Sequence, residues 1–367
     1  MTNEVRALAR AIGGSTDAAD LDALVDAAIA HGVAALLAGA PAAASMLSPA
    51  ARNRLLEHMR VDALRGAVFD AELGRVLGAA AADAVPVLVF KGAHLAHAVY
   101  RRPAMRPRAD TDLLIDVVDR DRMAAVLARC GYAPAAHVRG RLILGQFHFE
   151  KTDASGIAHY YDVHWRAAAP LVVERALPSA LFFRSATPLP AQGSNARAPA
   201  LPHALLLACV HLAAHHRVRP RLLWLYDVGR LVEAHDAPQR AAFLNLASQT
   251  RCRAIAAHAI GSAAGVFPSE SLTELASVLR RFPAADEPTA ALLRVRRPAG
   301  ALWLDVRAAG WRDGMRLLGE HLLPDRAYMA HAGGGAPAPL AYAARAARGV
   351  RRWIAVSAAD RTAERGE

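Results

Sequence analysis

At 367 residues, with 54% hydrophobic and 21% charged side chains, the chain is globular rather than disordered, and it is long enough for two or three packed units. The formal net charge of +11 favours an anionic partner, but all basic residues except Lys91 and Lys151 are arginines, so part of that charge is compositional background. Alanine is abundant, which points to a mainly helical protein.

From residue 4 to about residue 82 apolar residues recur at helical spacing, as in Leu21, Leu24, Val25 and Ala28 and again in Leu55, Met59 and Leu64. Residues 1–82 therefore read as a helical N-terminal lobe. At residue 85 the texture changes to Val-Pro-Val-Leu-Val-Phe, a short β-rich run that ends in Lys91-Gly92 and reads as a buried strand entering a turn. A helix to Tyr100 and an arginine-rich loop follow. Residues 112–116 read as a second strand and 119–130 as a helix with Asp119 near its cap, ended by Gly131. Two further strands are expected at 141–151 and 159–165, joined through 152–156, whose Asp, Ser and Gly are hairpin-turn residues. Residues 83–190 thus form a small α/β core. The prolines, Gly193, Ser194 and Asn195 between Arg184 and Pro202 read as an irregular connection and a boundary. Beyond it, residues 200–360 form a helical C-terminal lobe, with periodicity to Ala358, a loop over 330–339 and a frayed end.

Cys130, Cys209 and Cys252 show no paired spacing, so neither a disulfide framework nor a thiolate zinc site is expected. The early acid at Glu4 and the interrupted alanine run over 32–47 argue against a secretory signal and a membrane span, and a cytoplasmic location is expected.

The chemistry concentrates in the core. Asp110 and Asp112 stand two apart at the start of a strand, so both carboxylates project to one side. Such a pair is either a divalent-ion site or a turn cap. Asp162 lies in Tyr-Tyr-Asp-Val-His-Trp, sharing a face with His164, and a carboxylate among apolar residues needs a partner. If that strand pairs beside the Asp112 strand, three carboxylates converge, enough for one or two ions and a base. Lys91-Gly92 ends the first strand, where backbone amides and a lysine can meet phosphates, or where a plain turn carries a surface lysine. Arg101, Arg102, Arg106 and Arg108 precede the aspartates, and Arg106 is the best placed of them to clamp phosphate.

The run Val87 to Ala93, Tyr100, Arg106, Asp110-Thr-Asp-Leu-Leu-Ile115 and Asp162-Val-His-Trp165 resembles the uncharacterised nucleotidyltransferase family of bacterial proteins, within the DNA polymerase beta-like superfamily. With His211 and residues 224–227 the resemblance spans about 85–235. It implies an α+β fold, with a small mixed-sheet nucleotidyltransferase core flanked by N-terminal and C-terminal helical lobes. It further implies that Asp110 and Asp112 bind magnesium or manganese and that Asp162 supplies the third carboxylate and activates the acceptor. Lys91, Gly92, Ala93, Arg106 and His164 would meet the nucleoside triphosphate. Nucleotidyl transfer would then run to an acceptor the sequence leaves open, whether tRNA, protein, peptide or small molecule. The superfamily's glycine-serine phosphate turn appears here as Lys91-Gly92-Ala93. Phosphoryl transfer on the same fold, and a non-catalytic module binding RNA or protein, are the rival readings.

His94 and His97 flank the phosphate turn and either assist substrate binding or, the simpler reading, hold surface positions on a helix. His211 and His215 could share an ion, but no third ligand is evident and structural histidines are the simpler reading. Asp227, in an apolar helix, either faces a cleft or pairs with an arginine. No Gly-x-Ser-x-Gly or Walker loop is present.

Overall fold

The computed structural model describes residues 2–15, 20–135, 145–215, 220–281, 287–295 and 298–323, with 329, 339–340 and 342–348. Four short helices, α1 (Asn3–Ile12), α2 (Leu24–Ala30), α3 (Ala34–Ala38) and α4 (Pro41–Met46), precede the long α5 (Pro49–Ala82). Pro49 suits the first helical position, where its missing N–H loses no bond, and Ser48 Oγ accepts from Ala51 N at 3.2 Å. The two ends of α5 are buried against different cores. Ala51 and Leu55 join the helical bundle, while Leu73, Val76, Leu77 and Ala80 pack beneath the sheet.

β1 (Leu88–Phe90), β2 (Thr111–Leu114), β3 (Ala133–Pro134), β4 (Gln146–Thr152) and β5 (Ala158–His164) form one mixed sheet in the order β1-β2-β5-β4-β3. Only β2 and β5 run parallel. β1 is shorter than the expected 85–90, because Pro86 has no N–H for a ladder. β2 stops at Leu114 rather than at Asp116, whose side chain instead accepts from Val118 N and closes a turn. The expected strand over 141–151 appears as β4; residues 141–144 lie outside the described ones. The Asp153 carboxylate accepts from Ser155 N and Ile157 N and makes the expected hairpin turn.

Alternation along these strands gives the sheet two different faces. Val89, Leu113, Phe147 and Val163 point to one, where α5 and α7 (Arg120–Arg129) cover them with Leu73, Met123, Val126 and Leu127. Phe90, Asp112, Asp162 and His148 lie side by side on the other, because the register pairs Phe90 with Asp112, Asp112 with Asp162, and Asp162 with His148. α6 (Lys91–Ala98) begins at the residue after β1, earlier than the expected turn, and ends before Tyr100.

After α8 (Leu171–Glu174) and α9 (Ser179–Arg184), the stretch read as an irregular connection contains a two-stranded hairpin, β6 (Ala186–Pro188) with β7 (Arg197–Pro199). Prolines stand at strand ends there, where a missing N–H is tolerated. Then come α10 (Leu201–His215), α11 (Leu222–Ala234), α12 (Ala237–Gln249), α13 (Arg253–Ala264), α14 (Glu270–Arg280), α15 (Pro298–Ala309) and α16 (Trp311–Leu322). The N- and C-terminal helices share a core: Leu8, Leu24 and Leu37 pack in one cluster with Leu205, Leu222, Leu231 and Ile255, and with Leu88 and Phe90 of the sheet. Periodicity beyond residue 348 and most of the 330–339 loop fall outside the described residues. Among the described residues, no helix is long and apolar enough to cross a membrane. All three cysteines are free and buried.

Candidate active site

The carboxylates meet because β2 and β5 are adjacent, parallel and in register at Asp112 and Asp162. Asp112, Asp162 and His164 each offer a ligand atom within 4.8 Å of the others, a set able to hold a divalent ion. Asp110 does not join that cluster. It stands one residue before β2 on the wall of the same cleft, with its side chain reaching the surface. Desolvation there, then the charges of Asp112 and Asp162, push its carboxyl up to about 6. Burial acts to raise Asp112 too, but the Lys91 ammonium and the hydrogen bond from His164 hold it well below the usual carboxylate range.

Lys91 is therefore part of the carboxylate site and not a surface residue of the turn. Its Nζ donates to Asp112 Oδ1 at 2.7 Å and stands 3.3 Å from His164 Nε2. His164 Nε2 is also 2.9 Å from Asp112 Oδ1. One imidazole nitrogen either carries a proton or offers a lone pair, so the shorter contact is the hydrogen bond and the lysine leans on the ring. Burial and the Lys91 charge both lower the His164 pKa, keeping the ring neutral. The Lys91 backbone has φ of +50°, an unusual conformation for a side chain of its size, and it turns the chain sharply from strand to helix.

Gly92 is required by what lies above it. A Cβ there would stand 2.5 Å from Arg106 Nη1. Arg106 is held from the other side, its Nε and Nη2 donating to Asp227 Oδ1 and Oδ2 at 3.0 and 2.8 Å, and Tyr100 Oη adds a third donor to Asp227 at 2.7 Å. Two readings of Asp227 hold together: it pairs with an arginine, and both partners line the cleft. Ala93 turns its methyl into the apolar core under the sheet and is almost wholly buried, so it does not line the cleft as the sequence suggested. Arg108 donates to Asp70 and lies over Phe69, and Arg101 and Arg102 are exposed.

His94 and His97 are not surface residues. His94 is buried with no partner for Nδ1, and burial lowers its pKa to about 4; His97 Nε2 lies 3.1 Å from Asp70 Oδ1 and 2.6 Å from Gln192 Nε2. His211 lies edge-on to Trp224, and the side chain of His215 is outside the described ones. Sequence reasoning missed His148, whose Nδ1 bonds Asp162 Oδ1 from β4. The signal was there: a hairpin folding about 153–157 places 148 opposite 162.

Two cavities meet at this site. One, of about 330 Å³, runs from Asp110, Asp112 and Asp162 past Arg106 to Trp224. The other, of about 310 Å³, is lined by Lys91 and His164 from the site and by His148, Arg166 and Asp305.

A short mixed sheet with an in-register carboxylate pair, a lysine-glycine strand-to-helix turn and a helical cover has the architecture of a nucleotidyltransferase core. The sequence pattern of the uncharacterised nucleotidyltransferase family matches residues 17–268, well over half of the chain, and the protein belongs to that family. The match extends past both ends of the 85–235 stretch that carries the resemblance, so the helices on either side belong to the family pattern. A comparison with curated proteins finds no match.

Proposed function

We propose that the cleft transfers a nucleoside monophosphate from a nucleoside triphosphate to a hydroxyl or phosphate acceptor. The observation that carries this reading is the register of Asp112 with Asp162, with Asp110 beside them and Lys91 at their edge. Magnesium or manganese on these carboxylates would neutralise the triphosphate and orient its α-phosphorus. Both ions favour oxygen donors over imidazole, so the carboxylates would carry most of the binding and His164 the least.

The residues divide the remaining work. Lys91 and the amide at Gly92 receive phosphate oxygens. Arg106 contributes through Nη1 alone, since Asp227 takes its other two nitrogens. The acceptor oxygen bonds to the α-phosphorus as the bond to the bridging oxygen breaks; pyrophosphate leaves, and the acceptor proton passes to Asp162, which His148 orients. In-line attack needs acceptor and leaving group on opposite sides. The larger cavity therefore takes the nucleotide and the second takes the reacting end of the acceptor. Both have the scale of small-molecule sites. Three free, buried cysteines suit a reducing compartment, and we place the reaction in the cytoplasm.

The test uses the purified protein, magnesium, an extract as the source of acceptor, and nucleoside triphosphates labelled at the α- or the γ-phosphate. Label should pass to an acceptor from the α-position only, with pyrophosphate released, and Asp112→Ala should abolish it. Transfer from the γ-position would make the enzyme a phosphotransferase. Retention of RNA with no transfer from either position would favour the binding module.

A further inference from the structure

We infer that Lys91 is a resident cation that competes with the divalent ion for Asp112, so that ion and triphosphate bind as a pair and the ion binds poorly by itself. The inference rests on the nucleotidyltransferase reading and adds an order of assembly to it. Its basis is shared residues. Asp112 Oδ1 and His164 Nε2, the two atoms that Lys91 Nζ approaches at 2.7 and 3.3 Å, belong to residues of the only three-residue ion-holding cluster among the described residues. An ion ligated there would face an ammonium at contact distance, and like charges that close repel strongly.

His164 sharpens the conflict. To ligate, Nε2 must present a lone pair, but beside the Asp112 carboxylate, which when ionised can only accept, it presents its proton. Ligation therefore needs both the lysine withdrawn and the imidazole in its other tautomer. The ammonium is also well seated. It lies 5.0 Å from the centre of the Phe90 ring, and His164 packs edge-on against the same ring.

What could draw Lys91 away is also visible. Its side chain is 27% exposed and lines both cavities, so it can turn toward the cleft without unpacking the core. Its own backbone and that of Gly92 form the start of α6, where phosphate oxygens are favoured. A triphosphate entering the larger cavity offers the ammonium new oxygens and frees Asp112 Oδ1. By linkage, each ligand then strengthens the other by the same factor.

The experiment is Mn²⁺ binding, followed by electron paramagnetic resonance and calorimetry, with and without a non-hydrolysable ATP analogue. In the unmodified protein the analogue should tighten Mn²⁺ by about tenfold or more. Lys91→Met, which keeps the length and loses the charge, should bind Mn²⁺ alone about tenfold more tightly, bind the analogue less tightly, and lose most of the coupling. Lys91→Arg, which keeps the charge, should stay weak toward Mn²⁺ alone. Unchanged or weaker Mn²⁺ binding by a folded Lys91→Met would overturn the inference and leave the nucleotidyltransferase reading standing. Should Lys91→Met not fold, absence of coupling in the unmodified protein overturns it equally. If neither Mn²⁺ nor the analogue binds even together, both readings fail.

Discussion

Two ion pairs, one buried and one partly open, flank the cleft, and they are built for opposite purposes. Arg106 and Asp227 are sealed, at 8% and 5% side-chain exposure, and joined by two parallel hydrogen bonds with Tyr100 as a third donor. A planar guanidinium gripping a carboxylate at two points holds one geometry. Lys91 and Asp112 touch at one point, on the wall of the cavity, through a flexible stem. The first pair braces the arginine loop against α11; the second can exchange partners. Sequence alone could not separate them, since each is an acid and a base in an apolar setting.

The brace is tested first because its loss is felt by the whole fold. Asp227→Ala leaves a buried guanidinium unpaired and should lower unfolding free energy by about 3–5 kcal/mol, measured by denaturant titration. Pairing it with Arg106→Met should restore much of that loss, because it removes the stranded charge. The exchangeable pair should behave otherwise. Asp112→Asn should cost about 10³-fold in transfer, or about 4 kcal/mol of barrier, measured as release of pyrophosphate. Its stability should fall by less than that of Asp227→Ala, since the Lys91 ammonium it leaves behind is 27% exposed and can turn to water, whereas the Arg106 guanidinium cannot. A large loss of stability with Asp112→Asn would make the two pairs equivalent and end the contrast.

Gly92→Ala probes the point where the pairs meet. The new methyl would press on Arg106 Nη1, and that guanidinium cannot step back without releasing Asp227. The expected loss is about 1–3 kcal/mol of stability. In an Asp227→Ala background the guanidinium is free to move, so the two losses should sum to less than their separate values, read from a double-mutant cycle.

How far the site could be read in advance follows from distance along the chain. The two-residue period of the strands was local, and it put Asp110 with Asp112 on one side and Asp162 with His164 on one side before any pairing was known, although β2 begins only at Thr111 and Asp110 stays outside the cluster. Their meeting needed the β2–β5 register, and the resemblance supplied that adjacency. The Arg106–Asp227 pair spans 121 residues; the apolar helix around Asp227 called for a partner, but nothing local says which arginine it is. His94 and His97 were misjudged for the same reason. Their helix looks open on one face until the bundle helices and Gln192 arrive to cover it. β6 and β7 are too short for periodicity to register, and their prolines speak for a loop. The N- and C-terminal lobes each show helical spacing, and nothing local states that their apolar faces pack on each other.

The smallest effect is one of pH, and it separates the two aspartates that looked equivalent in sequence. Asp110 is pushed up to about 6, so between about pH 4 and 6 the folded protein holds a proton that the unfolded chain has released. Stability from this group therefore falls as pH rises through that window, and above it the ionised carboxylate works against the fold. Asp112 is held low, so its contribution is present above the ordinary carboxylate pKa and is lost only as pH falls below it. Replacing Asp110 by Asn removes the first slope and leaves the second. In buffer containing a chelator, the melting temperatures of the parent and Asp110→Asn should nearly coincide below about pH 4, the parent should fall behind as pH rises from about 4 to 6, and the gap should then hold steady. The gap should be modest, because Asp110 reaches solvent. Should the parent instead gain on the variant over that range, Asp110 would be paired with a cation in the folded protein, and the carboxylate crowding that distinguishes this cleft from the Arg106 brace would not exist.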